Sequence, residues 1–127
     1  MNLQILDTKR EVPIEGFTQV PHDEMIRAPE IFSYLPYSAY PQVTTELVKK
    51  LRTGGTLVIG GTELRAFANA VSNQLMSVED SNAVIRDTVS MAEVGEVCGL
   101  VNQLFGQGYQ VSWSCNGVHY EIRIRRA

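Results

Sequence analysis

Apolar residues recur along this chain with two different periods, and the switches between the periods mark out its elements. Val94, Val97, Cys98, Val101, Leu104 and Phe105 follow helical spacing, Ser90 to Glu93 reads as a capping box ahead of them, and Gly106 and Gly108 stop the run. This spacing predicts a helix over 91–106. The period then changes to two. Val111, Trp113 and Cys115, followed by Val118, Tyr120, Ile122 and Ile124, alternate with polar residues around Asn116-Gly117, a hairpin signal because both turn positions need positive φ. A two-residue turn there sets Cys115 opposite Val118, Trp113 opposite Tyr120 and Val111 opposite Ile122, with all six on one inward face.

Upstream, Val43, Leu47, Val48 and Leu51 form one helical stripe over 41–52, with Ser38 as its cap, Pro41 in its first turn and Gly54-Gly55 ending it. Thr56-Leu57-Val58-Ile59 is apolar without alternation, which reads as a strand covered on both faces, as in parallel sheets. Helical spacing returns at Leu64, Phe67, Ala68, Val71 and Leu75, and a weaker helical pattern over 77–89 gives a short helix from Asp80 to Arg86. Pro13, Pro21, Pro29 and Pro36 leave room for short strands only, at Leu3 to Leu6, Gly16 to Val20 and Glu30 to Ser33. The alternation of elements argues an α/β fold with a largely parallel sheet and an antiparallel terminal hairpin. In such sheets ligands bind beyond the carboxyl ends of strands, which directs attention to Asp7-Thr8, Pro21 to Asp23, Tyr34 to Tyr37 and Gly60 to Glu63.

With 127 residues, 44% hydrophobic, and a net charge of −3, the chain is expected to be a single domain over 1–127 with a self-sufficient core. Two cysteines give no disulfide framework, and Cys98 and Cys115 read as packed interior. Asp7, Lys9 and Arg10 precede any long apolar run, so neither a secretory signal nor a membrane span is expected, and a cytoplasmic location is the natural reading.

Leu51-Arg52-Thr53-Gly54-Gly55-Thr56-Leu57-Val58-Ile59 resembles the "L-k-p-G-G-x-l-x-I" segment of class I S-adenosylmethionine-dependent methyltransferases. The helix ahead of it, the later long helix, Gly108-Tyr109-Gln110-Val111 and the ending Ile122-Arg123-Ile124-Arg125 resemble the same family. Leu3 to Thr8 lies where small members have "l-n-l-G-c-G", and Ile14 to Val20 where they have "i-p-G-[WF]-i-n-V-D". The resemblance implies a Rossmann-like methyltransferase fold whose mostly parallel sheet lacks one strand. It also implies S-adenosylmethionine as cofactor, held by Asp7, Thr8, His22, Asp23, Tyr34 and Tyr37.

The departures fall on that cofactor site. Asp7 and Thr8 stand where the family has glycines, Pro21 stands where it has a ribose-binding acid with Asp23 just beyond, and Tyr34-Leu35-Pro36-Tyr37 replaces "l-E-H". Such a pattern fits a methyltransferase-like enzyme with a reduced site. It also fits a non-catalytic, homo-oligomeric binding or assembly module built on the same fold.

Other chemistries are less well supported. His22 lies at the expected ligand edge, where a histidine can act as general base, whereas His119 falls on the polar face of the last strand; no spacing joins either to the cysteines as a metal site. Gly60-Gly61-Thr62-Glu63 reads as a turn with an N-cap at Thr62, or as a backbone cradle for an anion. Lys49, Lys50 and Arg52, and Arg123, Arg125 and Arg126, read as solvated faces, and the acidic balance argues against nucleic acid. The tyrosine loop suits either a planar ligand or a subunit contact. A sheet that lacks a strand has an open edge, so a homo-oligomer joined through the first forty residues is expected.

Overall fold

The apolar run at Thr56 to Ile59 is the middle of a strand 12 residues long, Leu51–Thr62, around which the other elements are arranged. The computed structural model describes the backbone of residues 2–5, 10–13 and 23–127, and side chains from Met25 onward. Its strands are β1 (Asn2–Ile5), β2 (Arg10–Pro13), β3 (Asp23–Ala28), β4 (Leu51–Thr62), β5 (Tyr109–Asn116) and β6 (His119–Arg126); its helices are α1 (Tyr40–Val48), α2 (Leu64–Ser72), α3 (Val78–Asp87) and α4 (Val94–Leu104). Two short 3-10 turns, Ile31–Tyr34 and Tyr37–Ala39, lie between β3 and α1.

The six strands form one sheet in the order β2-β1-β3-β4-β6-β5. Only β3 and β4 pair in parallel among the described residues; β1 with β2, β1 with β3, β4 with β6 and β5 with β6 are antiparallel. The sheet is therefore α/β but mixed, which corrects the expectation of a mostly parallel one. A parallel neighbour needs a long crossover, and the 3-10 turns with α1 supply one between β3 and β4.

One face of the sheet carries Ile26, Leu57, Ile59, Tyr120, Ile122 and Ile124, all nearly inaccessible, and packs against Leu47 of α1 and Val97 and Val101 of α4. Val58 is also buried, on the opposite face, in register between Arg27 and Arg123. The aliphatic stems of those arginines are suited to covering it. The strand thus has both of its faces shielded, as its composition predicts.

Several local expectations are revised. The segment Glu30 to Ser33 is not a strand: Ile31, Phe32 and Ser33 are buried in succession in a 3-10 turn, and the strand is instead Asp23–Ala28. The expected strand Gly16 to Val20 lies outside the described residues. The helix expected over 41–52 ends at Val48, because Leu51 already begins β4; Pro41 does sit in its first turn, but Ala39 rather than Ser38 is its N-cap. Gly60 and Gly61 are strand residues, not a turn, and their lack of side chain lets other backbone approach. A Cβ on Gly60 would strike the carbonyl oxygens of Tyr120 and Pro29, and one on Gly61 would come within 3.2 Å of Phe32 and Ser33.

The hairpin forms, with its register moved by one residue at the turn. Asn116 pairs with His119, leaving Gly117-Val118 as the two turn residues. Gly117 has φ +62°, while neither Asn116 nor Val118 has positive φ, so glycine in the first central position makes a type II′ rather than a type I′ turn. Cys115 therefore faces Tyr120, Trp113 faces Ile122 and Val111 faces Ile124. On the edge strand, Trp113 is 52% exposed and Cys115 is exposed too, so the reading of both as interior is corrected.

The two kinds of glycine respond oppositely to a methyl group. Gly60→Ala is expected to lower stability by about 3 kcal/mol, since the added atom meets fixed backbone rather than a movable side chain. Gly99→Ala, on the exposed side of α4 with nothing within 4 Å, should raise it by about 0.5–1 kcal/mol through helix propensity. Urea unfolding of the two variants measures both shifts.

Candidate functional site

β3 and β4 end side by side, with Ala28 in register with Ile59, and the chain leaving β3 folds back over the end of β4. Two contacts dock it there. The Ser33 hydroxyl accepts from the Thr62 amide at 3.1 Å and lies 3.3 Å from the Thr62 hydroxyl, over the bare backbone of Gly61. The Val89 amide donates to the Ser33 carbonyl at 2.7 Å from the other side.

An aromatic stack fixes the next turn. Phe32 lies flat on Tyr40, with ring centroids 4.0 Å apart and planes within 9°. The Tyr40 hydroxyl donates to the Phe32 carbonyl at 3.0 Å, and the Ser90 hydroxyl donates to the Leu35 carbonyl at 2.6 Å. Ser90 is thus a tie for this loop and makes no capping box for α4. Burial raises the Tyr40 pKa, with the Ser90 contact acting against the shift. Among the described residues the buried Tyr120 hydroxyl makes no hydrogen bond, and its pKa is pushed far up, by burial first and then by Tyr40, Glu63 and Tyr37.

Glu63 organises the end of β4. Its residue is 4% exposed, and its two carboxylate oxygens serve two helices: one accepts from the Ala66 amide of α2 at 3.0 Å, the other from the Val94 amide of α4 at 2.6 Å. Its backbone is held as well, since its amide donates to the Val118 carbonyl at 2.8 Å and it forms an isolated parallel bridge with Ala92. A carboxylate is the natural occupant of a point where two positive helix ends converge. The cap of α2 is therefore Glu63, not Thr62, and the carboxylate fills the place an exogenous anion would need at these helix ends.

Around this closed centre lies an open rim. Tyr34 is 48% exposed and its hydroxyl has no partner among the described residues. Tyr37, also partly exposed, donates to a Glu96 carboxylate oxygen at 3.2 Å, and burial together with that carboxylate raises its pKa. Glu30, exposed, begins the turn that Tyr34 ends, and its side chain makes no capping hydrogen bond. Past Leu64 and Met91, which flank the Glu63 junction in sequence and structure, an apolar groove of about 690 Å³ runs between α2 and α3, lined also by Phe67, Val71, Val78 and Ile85.

The residues expected from sequence to share one site are not all brought together. Tyr34 and Tyr37 lie in the two 3-10 turns that follow β3. Asp23 opens β3 in register with Leu51, at the amino end of the parallel pair. Because β1 runs antiparallel to β3, with Ile5 opposite Ile26 and Gln4 opposite Arg27, its carboxyl end also points toward the amino end of β3. Asp7, Thr8 and His22 lie outside the described residues. Glu30 and Glu63 were not singled out by sequence as carboxylates with separate roles; the signal was a lone acid just after each strand of the parallel pair.

Both cysteine thiols are held above their ordinary pKa by burial, assisted at Cys115 by the Glu63 charge and opposed at Cys98 by Asn102, so neither is an activated nucleophile. His119 lies 3.9 Å from Glu121, a carboxylate that Arg27 and Arg123 also approach, at 3.3 and 3.8 Å. The basic residues are tied locally as well: Lys49 pairs with Glu46, and Arg126 donates to the Leu51 carbonyl. Among the described residues no cluster of three or more His, Cys, Asp or Glu could hold a metal ion, and no helix is long and apolar enough to cross a membrane.

No family model matches the chain, and no curated protein matches it. Among solved structures, the fold is similar to that of the plantazolicin methyltransferase BamL, determined in complex with a triazolic desmethylPZN analogue and SAH. The TM-score is 0.63 at 11% identity, and the match covers 91% of this chain. The chain spans 58% of that enzyme's length. The architecture is therefore methyltransferase-like.

Two expected outcomes follow from the buried groups. Glu63→Ala leaves two helix ends uncapped and should cost about 2–4 kcal/mol in urea unfolding, whereas Glu63→Gln, with one acceptor oxygen left, should cost about half as much. Tyr120 ionises in the unfolded chain near its ordinary 10.0 but stays protonated in the folded one. Above that pH the folded state binds more protons than the unfolded, so stability falls as pH rises. Tyr120→Phe should leave stability near neutral pH unchanged or slightly higher and make the alkaline loss shallower, as read by melting temperature against pH.

Proposed function

We propose that this chain is a methyltransferase-like protein with a reduced site that binds S-adenosylmethionine by its adenosine part, at the rim formed by Glu30, Tyr34 and Tyr37. The observation that supports the reading is the position of this rim at the carboxyl end of β3, beside β4, in a fold shared with a methyltransferase that was solved with SAH. The fit is chemical. A ribose diol asks for a carboxylate able to accept two hydrogen bonds, and Glu30 is exposed and uncommitted as a cap. A purine asks for an aromatic face, which the half-exposed Tyr34 offers.

When bound, the cofactor supplies an electrophilic methyl group on a sulfonium sulfur. The chain's own residues would position the reactants rather than move protons. Tyr37 is oriented by Glu96, Ser33 and Ser90 hold the loop in place, and Glu63 keeps the α2 and α4 ends from competing for anions. Holding two reactants in a reactive geometry is by itself a large part of what such a transfer requires. The groove between α2 and α3, of a volume usual for ligand pockets, would take the apolar body of a methyl acceptor. Asp23, which the sequence assigned to the same cofactor, opens β3 at the end opposite this rim, so the proposal rests on Glu30, Tyr34 and Tyr37; Asp7, Thr8 and His22 lie outside the described residues.

A second reading, a non-catalytic binding or assembly module on the same fold, is favoured by one observation: the polar groups of Ser33, Thr62 and Glu63 at this edge are all satisfied within the chain.

Thermal unfolding with S-adenosylmethionine and S-adenosylhomocysteine separates the readings. At a hundred times the dissociation constant a ligand stabilises the folded state by about 2.7 kcal/mol. A clear rise in melting temperature is expected for the unmodified chain, with affinity falling at least tenfold in Tyr34→Ala and in Glu30→Gln, whose side chains are exposed. No rise with either compound at millimolar concentration would leave the module reading in its place.

A further inference from the structure

Among the described residues the sheet ends at two edges, and they differ in how they are protected. β2, at one edge, consists of Arg10, Glu11, Val12 and Pro13, so it is short, carries charges of both signs and ends in a residue without an amide hydrogen. These are the usual devices by which proteins keep an open edge from pairing with another chain. β5, at the other edge, is 8 residues long, Tyr109 to Asn116, and contains no charged residue, no proline and no glycine. It pairs with β6 without a bulge along its whole length. Its outer backbone groups are a template for a further strand.

Side chains add to the case. Trp113, the single tryptophan of the chain, is 52% exposed on β5, and Cys115 beside it on the same face is exposed. On the other face Ser112 and Ser114 are exposed. An apolar face that is covered inward, at Ile122 and Ile124, therefore continues outward to the edge and stops uncovered.

We propose that β5 is the contact through which two copies of this chain associate, the strands pairing antiparallel about a twofold axis so that one sheet runs through both. A second copy suits this edge better than an arbitrary partner because a twofold sets like against like. Like charges opposite one another oppose such pairing, and β5 has none. Keeping the same face inward in both copies requires the axis to pass through a residue rather than between two, because side chains alternate with period two. The two registers of greatest overlap pass through Ser112 or Trp113. In either, Trp113 packs on an apolar residue of the second copy, its own counterpart or Val111. β2, which lies within the first forty residues where the sequence places a subunit contact, is the charged edge among the described strands.

Because Trp113 is the only tryptophan, its fluorescence reports this contact directly. Sedimentation velocity of the full chain is expected to show a dimer at high micromolar concentration, with tryptophan emission shifting to the red on dilution as the dimer separates. Ser112→Lys with Ser114→Lys places like charges across either register and should weaken association at least tenfold. Both positions are exposed, and an unchanged circular dichroism spectrum and melting profile of dilute protein establish that the variant is folded. Ile85→Asp, in the groove between α2 and α3, should leave association unchanged. A monomer throughout the concentration range would overturn the proposal, as would a dimer that the two lysines leave intact.

Discussion

A single buried carboxylate holds one end of this fold together. Glu63 is the first residue after the central strand, and its two oxygens close the first turns of two helices that are separated by about thirty positions in the chain (|i−j| = 31 for the α4 contact). Each helix presents unsatisfied amides and a partial positive charge at its start, and bringing two such ends together without a counter-charge would be unfavourable. With the carboxylate between them, α2 can leave β4 directly and α4 can begin beside it. The parallel bridge between Glu63 and Ala92 and the amide bond to Val118 then join this junction to the hairpin. The cap, the strand end and the turn of the hairpin are thus one connected structure.

The chemistry available to a ligand follows from that commitment. A helix N-terminus is often where an anionic cofactor group is received. Here both ends are filled from within, and the Ser33–Thr62 contact closes the space between the parallel strand ends. What stays open lies outside this closure, where Glu30, Tyr34 and Tyr37 are exposed on turns flanked by the Phe32–Tyr40 stack. A ligand with a diol and a planar base suits such a rim; one that relies on a phosphate does not.

Elements whose pattern is set by burial were legible in the sequence. The stripe Val94, Val97 and Val101 is the buried side of α4, and the run Leu57, Val58, Ile59 is the covered centre of β4. The strand Asp23–Ala28 was not legible, because its alternation is short and a charged Arg27 stands on its polar face beside Pro29. The hairpin register slipped by one place because Asn116 keeps ordinary backbone angles and Val118 takes a turn position that its β-branched side chain does not advertise. Trp113 looked interior from its alternation, yet periodicity reports which face a residue is on and not whether the sheet ends there. Ser90 and Glu93 looked like a capping box, while the cap came from Glu63, which no local pattern could indicate. Of the candidate site, the tyrosine loop was proposed from its position after a strand. Glu30, the carboxylate proposed to act beside it, lay inside a segment read as a strand.

Where an adenosyl ligand touches this fold is tested most directly by backbone amide NMR during titration with S-adenosylhomocysteine. Shifts concentrated in the amides of residues 30–37, with the α3 amides unmoved, are the predicted result. An unchanged spectrum at millimolar ligand, or shifts confined to the amino end of β3 around Asp23, would contradict it.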